Sequence, residues 1–267
     1  LDRKISFAIL NFQKIFLRRK IVKFIKISLL ATLLISTSAI AQQFAATGIH
    51  AGFGVNSVNP VATFQNVSKY MESADFKKLG ITAGLYANNV NGTDDTTHLI
   101  EFYYPDAKSY QKAVDMAATS SAVANLLSTA AQNGTQNTYE SVYMNVREKI
   151  TAADVEKNKV FYVWRVETTD LPRYLREWDK MIEEIEEEGI ASDSYGMKVA
   201  FAGAIHGESL FVWAGYESQQ EMMEQLAVFN ASESLASFNA RTQGYSSVVA
   251  NEISTQLALW NGALYTE

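Results

Sequence analysis

No cysteine occurs in the 267 residues, which removes disulfides, thiolate nucleophiles, cysteine-ligated iron–sulfur clusters and the commoner structural zinc sites. Stability has to come from packing. Histidine is scarce, with only His50, His98 and His206 present. None of them has a second histidine or a carboxylate at a spacing that builds a metal site, such as i and i+4 on a helix, so no metal centre is expected. There is no Gly-rich loop ending in Lys-Ser or Lys-Thr to cradle nucleotide phosphates, and no Gly-x-Ser-x-Gly nucleophile elbow.

What is present is ordinary globular composition, 48% hydrophobic and 19% charged, enough for one or two cored domains. The first forty residues stand apart. Lys14, Arg18, Arg19, Lys20, Lys23 and Lys26 form a basic region, Ile27 to Ile35 is largely apolar, and Ala39-Ile40-Ala41 offers small residues where a signal peptidase reads. Residues 1–41 are therefore read as a signal peptide with an upstream basic segment, cleaved after Ala41 to leave Gln42. The alternative, a membrane anchor, needs roughly 20 apolar residues, and the run is shorter. No Met precedes Met71, and a start near Ile21 or Val22 would leave a signal of ordinary proportions. The expected location is the periplasm or the exterior, which argues against ATP-dependent chemistry. Without residues 1–41 the chain holds 15 Lys and Arg against 28 Asp and Glu, a net charge of −13. Such an acidic body repels nucleic acid and anionic lipid surfaces, so neither is expected as a partner.

Sliding the chain against itself by 112 residues aligns Pro60 with Pro172, Glu72 with Glu184, Gly84 with Gly196, Tyr104 with Tyr216, Ser120 with Ser232, Ala124 with Ala236 and Glu140 with Glu252. In the first half, 48–55 reads as a strand and Pro60 opens a helix carrying Phe64, Val67 and Met71 on one side. Residues 81–88 and 97–104 form a strand pair around Asn91-Gly92. Asp106 caps a helical region to about Ala131, broken near Thr119-Ser120, and 138–147 closes the unit. The second half gives a strand over 160–167, then a helix over 171–188 with Leu175, Trp178, Ile182 and Ile185 at helical spacing and Gly189 as its stop. A strand pair over 195–202 and 209–216, a helical region from Ser218 to about Thr242 and a strand over 246–259 follow. Both halves read βαββαβ, giving an α+β chain of two ferredoxin-like repeats, 46–148 and 158–262.

The element order, the unit of about 110 residues and the broken helix before each final strand (Thr119-Ser120-Ser121-Ala122 and Ala231-Ser232-Glu233-Ser234) resemble the dimeric α/β-barrel superfamily. That superfamily includes antibiotic-biosynthesis monooxygenase-like, EthD-like and chlorite-dismutase-like proteins. The resemblance covers nearly all of residues 46–262 and implies two four-stranded sheets closing face to face as a pseudo-twofold barrel. It carries fold rather than chemistry. A fused pair supplies in one chain what single-unit relatives reach by dimerising, so a homodimer is permitted and not required. Chlorite-dismutase-like relatives take an axial haem ligand from a helix-borne His in the C-terminal half. The only second-half histidine here, His206, falls in a hairpin loop, so the ligand does not carry over and no cofactor is expected.

In such a barrel, alternate strand residues face the interior. Leu210, Val212 and Ala214 are read as helix-facing, which turns Phe211 and Trp213 inward. Their first-half partners by the 112 shift are Leu99 and Glu101, with Tyr103 next along. On the first strands, Tyr162 and Trp164 share a face whose counterparts are His50 and Gly52, while Phe161, Val163 and Arg165 share the other; either could be the inward one. A Trp close to an Arg suits a planar or anionic ligand, although aromatics also simply fill cores. Glu140 and Glu252 keep the repeat spacing on the closing strands. They form either a carboxylate pair near the axis, able to act as acid and base, or two solvated side chains. His50 is the better general-base candidate, with the core histidine as alternative. The run 183–188 reads as a solvated helix face and 88–95 as a hairpin turn rather than a calcium loop.

Three functions are compatible with these residues. The first is an exported binding protein holding a small apolar or aromatic molecule between the sheets through Tyr103, Tyr162, Trp164, Phe211, Trp213, Glu140 and Glu252. The second is a cofactor-independent monooxygenase-like or isomerase-like enzyme in which His50, Glu101 or Arg165 handles protons or charge. The third is an interaction module with a filled barrel.

Overall fold

A computed structural model describes residues 48–260; the expected signal segment, 1–41, lies outside them. The first half contains β1 (Ile49–Asn56), α1 (Pro60–Met71), α2 (Ala74–Lys77), β2 (Thr82–Val90), β3 (His98–Tyr104), α3 (Ala107–Ala117), α4 (Ser121–Gln132) and β4 (Gln136–Lys149). After α5 (Ala152–Lys157) come β5 (Val160–Thr168), α6 (Leu171–Glu187), β6 (Ser194–Ala202), β7 (Leu210–Tyr216), α7 (Gln219–Asn230), α8 (Glu233–Thr242) and β8 (Ser246–Trp260). The four-residue α2 and the connecting α5 are too short for a periodic signal in the sequence.

Local chemistry explains the helix starts. Asn59, Asp106, Ser120, Asp170, Ser218 and Ser232 each accept a hydrogen bond from a first-turn backbone N–H, pairing a donor that the helix itself cannot satisfy. The break between α3 and α4 follows from Ser120 restarting the helix as a cap, and Ser232 does the same between α7 and α8. Gly189 ends α6 with a positive φ of 70°, which glycine adopts without steric cost.

The eight strands form one closed antiparallel barrel in the order β1-β3-β2-β8-β5-β7-β6-β4. Each half supplies four consecutive strands of that ring. The seams are β2 against β8 and β4 against β6, so a strand that would be an exposed edge in one half is paired by the other. The halves thus make a continuous ring rather than two separate sheets facing each other. Helices cover the outside. On the first half, Val67 and Met71 of α1 and Phe76 of α2 pack on Ala83 and Leu85, and a fully buried side chain such as Met71 or Leu85 contributes about 1.5–3 kcal/mol. Phe64, expected on that face, is exposed; α1 instead buries Thr63, Asn66, Val67, Tyr70 and Met71.

The two halves do not superpose at a uniform offset of 112 residues, and this decides which side chains enter the barrel. Tyr104 and Tyr216, 112 apart, occupy matching places, but Tyr104 pairs with Ile49 and Tyr216 with Val160, which are 111 apart. The bulges between Gly54 and Val55 and between Arg165 and Val166 are also 111 apart. Because strand side chains alternate, a shift of one residue exchanges the two faces. Ile49 and Ala51 therefore correspond to Val160 and Tyr162, not to Phe161 and Val163. The counterpart of Glu140 is Asn251, and that of Glu252 is Ser141.

Candidate functional site

The barrel encloses a cavity lined from all eight strands, including His50, Tyr86, Glu101, Tyr103, Tyr143, Arg165, Lys198, Phe211, Trp213 and Glu252. The space left between them is about 80 Å³, several times the roughly 10–15 Å³ that one water needs by the same measure. Glycines on the inner face make room for rings. A Cβ on Gly54 would come within 2.2 Å of the Tyr139 ring, and one on Gly196 within 2.5 Å of Trp213 Nε1.

The first half supplies a histidine–carboxylate pair. His50, 3% exposed, sits on β1 directly across from Tyr103 on β3, with which its ring is stacked at 4.7 Å between centroids and 10° between planes. His50 Nε2 lies 3.1 Å from Glu101 Oε2, off the line of a good hydrogen bond, and Nδ1 has no hydrogen-bonding partner among the described residues. The Tyr103 hydroxyl donates to Glu101 Oε2 at 2.7 Å, and the Tyr86 and Tyr103 hydroxyls are 3.1 Å apart. Burial and the nearby Lys198 ammonium lower the His50 pKa, only partly opposed by Glu101. At neutral pH the imidazole is uncharged. Burial alone would raise the Glu101 carboxyl, but His50, Lys198 and the Tyr103 hydroxyl outweigh it and hold it down to about 2.

The second half supplies two cations in opposite circumstances. Arg165 is saturated: its guanidinium makes a two-pronged pair with Glu252, donates to Glu208 Oε1 at 2.9 Å and to the Tyr143 hydroxyl at 3.0 Å. Glu208, from the β6–β7 loop, also accepts the Tyr143 hydroxyl and the His206 N–H. Burial works against the charged guanidinium, and Glu252 more than offsets it. Lys198, 4% exposed, has no hydrogen bond or ion pair among the described residues. Its Nζ lies 4.6, 5.8 and 5.9 Å from the ring centroids of Tyr103, Phe211 and Trp213. Burial lowers its pKa against the pull of Glu148 and Glu101.

Of the residues singled out in the sequence, His50, Glu101, Tyr103, Arg165, Phe211, Trp213 and Glu252 meet in this cavity. Tyr162 and Trp164 do not. The 111-residue register turns them outward under the second-half helices, with Trp164 against Phe229 at 6.3 Å and Tyr162 on the Val160, Ala214 and Met222 cluster. Glu140 is exposed and accepts from Asn137 Nδ2 at 3.1 Å, so no Glu140–Glu252 pair exists. Lys198, Tyr86, Tyr143 and Glu208 escaped the sequence reading. Lys198 carried one usable signal, its place two residues after Gly196 on the same strand face, opposite Phe211. His206 stands in the β6–β7 loop, 3.9 Å from Asp94, and no helix of the described second half carries a histidine. The residues present do not offer the helix-borne haem ligand of chlorite-dismutase-like proteins.

No protein-family model and no curated protein sequence matches the chain. Solved structures do match in shape. A candidate monooxygenase from Lactobacillus acidophilus NCFM aligns at a TM-score of 0.51 and 11% identity over 83% of this chain and all of its own. One from Fusobacterium nucleatum gives 0.53 and 14% over 84% and 99%, and an anthrone oxidase-like protein 0.52 and 8% over 80% and 93%. The chain shares its overall fold with these structures. At these identities the likeness establishes architecture, and the chemistry has to be argued from the cavity.

Proposed function

We propose that this protein is a monooxygenase-like enzyme that needs no bound cofactor and acts on a small aromatic or enolic molecule inside the barrel, with His50 as general base. The observation that supports this reading is the buried, uncharged His50 beside the Glu101 carboxylate in an aromatic-lined cavity. With its ring proton on Nε2 toward Glu101, His50 keeps an open acceptor at Nδ1, and the carboxylate stabilises the imidazolium formed when a substrate proton arrives. Removing a proton from an activated C–H or O–H makes the substrate electron-rich enough to reduce dioxygen. In the conversion of a methylene to a carbonyl, the substrate is the reductant, one oxygen atom joins the carbon and the other leaves as water. The matched structures described as monooxygenases and as anthrone oxidase-like add an analogy of fold.

The reading includes export, carried by the N-terminal sequence pattern, and a fold built of two ferredoxin-like repeats in tandem. It favours catalysis over passive binding, because an apolar carrier has no use for the buried histidine, glutamate and lysine gathered here at a desolvation cost. The test is oxygen uptake by chelator-treated protein with a panel of anthrones and naphthols. Uptake is expected without added flavin, haem or metal, falling about 100-fold or more in His50→Gln. Uptake unchanged in that variant, or absent with every compound, would overturn the assignment.

A further inference from the structure

Lys198 is a cavity cation whose surroundings, among the described residues, leave its chemistry unfinished. An ammonium carries three N–H donors and no acceptor, and a lysine so fully withdrawn from water is normally paired with an anion. The rings of Tyr103, Phe211 and Trp213 around Nζ provide cation–π attraction, yet a ring face does not replace an oxygen acceptor for each N–H. Arg165, with Glu252, Glu208 and Tyr143 all placed around it, shows how this barrel pairs a buried cation with its own side chains. Lys198 also shares its neighbours with His50: both stand against the Tyr103 ring, and both lie 5.8 Å from the Phe211 centroid. A base and an unsatisfied cation thus border the same small space.

We propose that Lys198 is the anchor for an oxygen anion of the ligand, so that the cavity selects small planar acids, phenols or enols, and holds them as conjugate bases. The inference rests on the barrel cavity being the ligand site. Charge bookkeeping supports it. The carboxylate of Glu101 offsets the ammonium of Lys198 while His50 is neutral, and Glu148 adds a further negative charge, so a ligand that arrives as an anion leaves the group with still more negative charge uncompensated. A ligand that arrives as a neutral acid does not. Its O–H bond breaks, the proton joins His50, the imidazolium pairs with Glu101, and the ligand oxygen pairs with Lys198. No electrons change hands in this step. The titratable groups around Lys198 are His50, Glu101, Glu148 and Tyr103, and among them only His50 is placed to take the proton near neutral pH.

The experiment uses 4-nitrophenol, whose anion absorbs in the visible, with 4-nitroanisole as the neutral analogue that cannot ionise. Binding is followed by tryptophan fluorescence, since Trp213 lines the cavity. The whole protein is expected to prefer nitrophenol over nitroanisole by about 10-fold or more and to lower the apparent pKa of the bound phenol by about one unit, the shift that corresponds to one tenfold factor. Lys198→Met is expected to lose both the preference and the shift, and Lys198→Arg to restore part of them. His50→Gln should lose much of the shift, because the displaced proton then has no acceptor beside Glu101. Equal binding of the two probes by the unaltered protein, or a shift that survives in Lys198→Met, would overturn the anchor without touching the oxygen-uptake result. Failure of both probes to bind would overturn both the anchor and the cavity as ligand site.

Discussion

The two halves of the barrel interior occupy matching strand positions and carry opposite chemistry. Where the first half has His50, Gly54, Glu101 and Tyr86, the second has Phe161, Arg165, Trp213 and Lys198 at the equivalent register. At these four positions the first half presents a base, a carboxylate and a phenol, and the second presents two cations and two apolar rings. A symmetric pair of half-barrels would repeat one set twice; within this one chain the two sets differ, and an asymmetric ligand site becomes possible. Within the second half the contrast continues. Arg165 is completed by protein partners, whereas Lys198 has no hydrogen bond or ion pair among the described residues, and on the proposal above the difference separates a paired ion from one kept open for a ligand.

Substitutions can break this comparison. Arg165→Met leaves Glu252 and Glu208 buried without their cation, and urea denaturation should show a loss of about 3–5 kcal/mol; a loss below about 1 kcal/mol would mean that the cluster is not the structural element described. Gly54→Ala, at the first-half position equivalent to Arg165, pushes a methyl group into the Tyr139 ring, and a cost of about 1–3 kcal/mol is expected in thermal unfolding.

The third prediction concerns pH. Unfolded histidine takes up a proton near 6.5, but buried His50 does so only at lower pH, so in that interval the unfolded chain binds more protons and falling pH costs stability, by at most about 1.4 kcal/mol per pH unit. Glu101, held down to about 2 against an ordinary 4.5, adds a further loss as the pH falls below 4.5. His50→Phe, which copies its second-half counterpart Phe161, should flatten the stability profile just below pH 6.5 and abolish turnover. A profile identical to that of the unaltered protein would show that His50 titrates as if exposed. The smallest effect expected is a gain: Lys198→Met should stabilise the fold by about 1 kcal/mol at pH 7, because it removes an unpaired buried ammonium at a site shaped for function rather than stability.

Much of the architecture was legible before any coordinates. The cap at Asp106, the helix start at Ser218, the helix breaks at Ser120 and Ser232 and the stop at Gly189 stand where their chemistry placed them, because each depends only on its own turn of chain. The alternation of Phe211 and Trp213 against Val212 and Ala214 was equally local. The site was legible in part: His50, Glu101, Tyr103, Arg165 and Glu252 were named, but Tyr162, Trp164 and Glu140 were named with them. Those three failed together for one reason, a repeat spacing of 111 rather than 112 on the first and last strands of each half. Lys198 was passed over because a lysine on a strand is usually solvated, and nothing in its neighbours along the chain says otherwise.

The longer helices and strands and their order could be read from the chain alone, since they depend on contacts within a turn or two, whereas the short α2 and α5 could not. Only the tertiary structure decided which face of β1 and β5 looks inward, that the β2–β8 and β4–β6 seams close a single ring, and that an arginine would be saturated while a lysine stayed open. Strand register and ion pairing are settled between residues as distant in the chain as Arg165 and Glu252, and a periodic pattern holds no information about which of two faces its partner strand will meet.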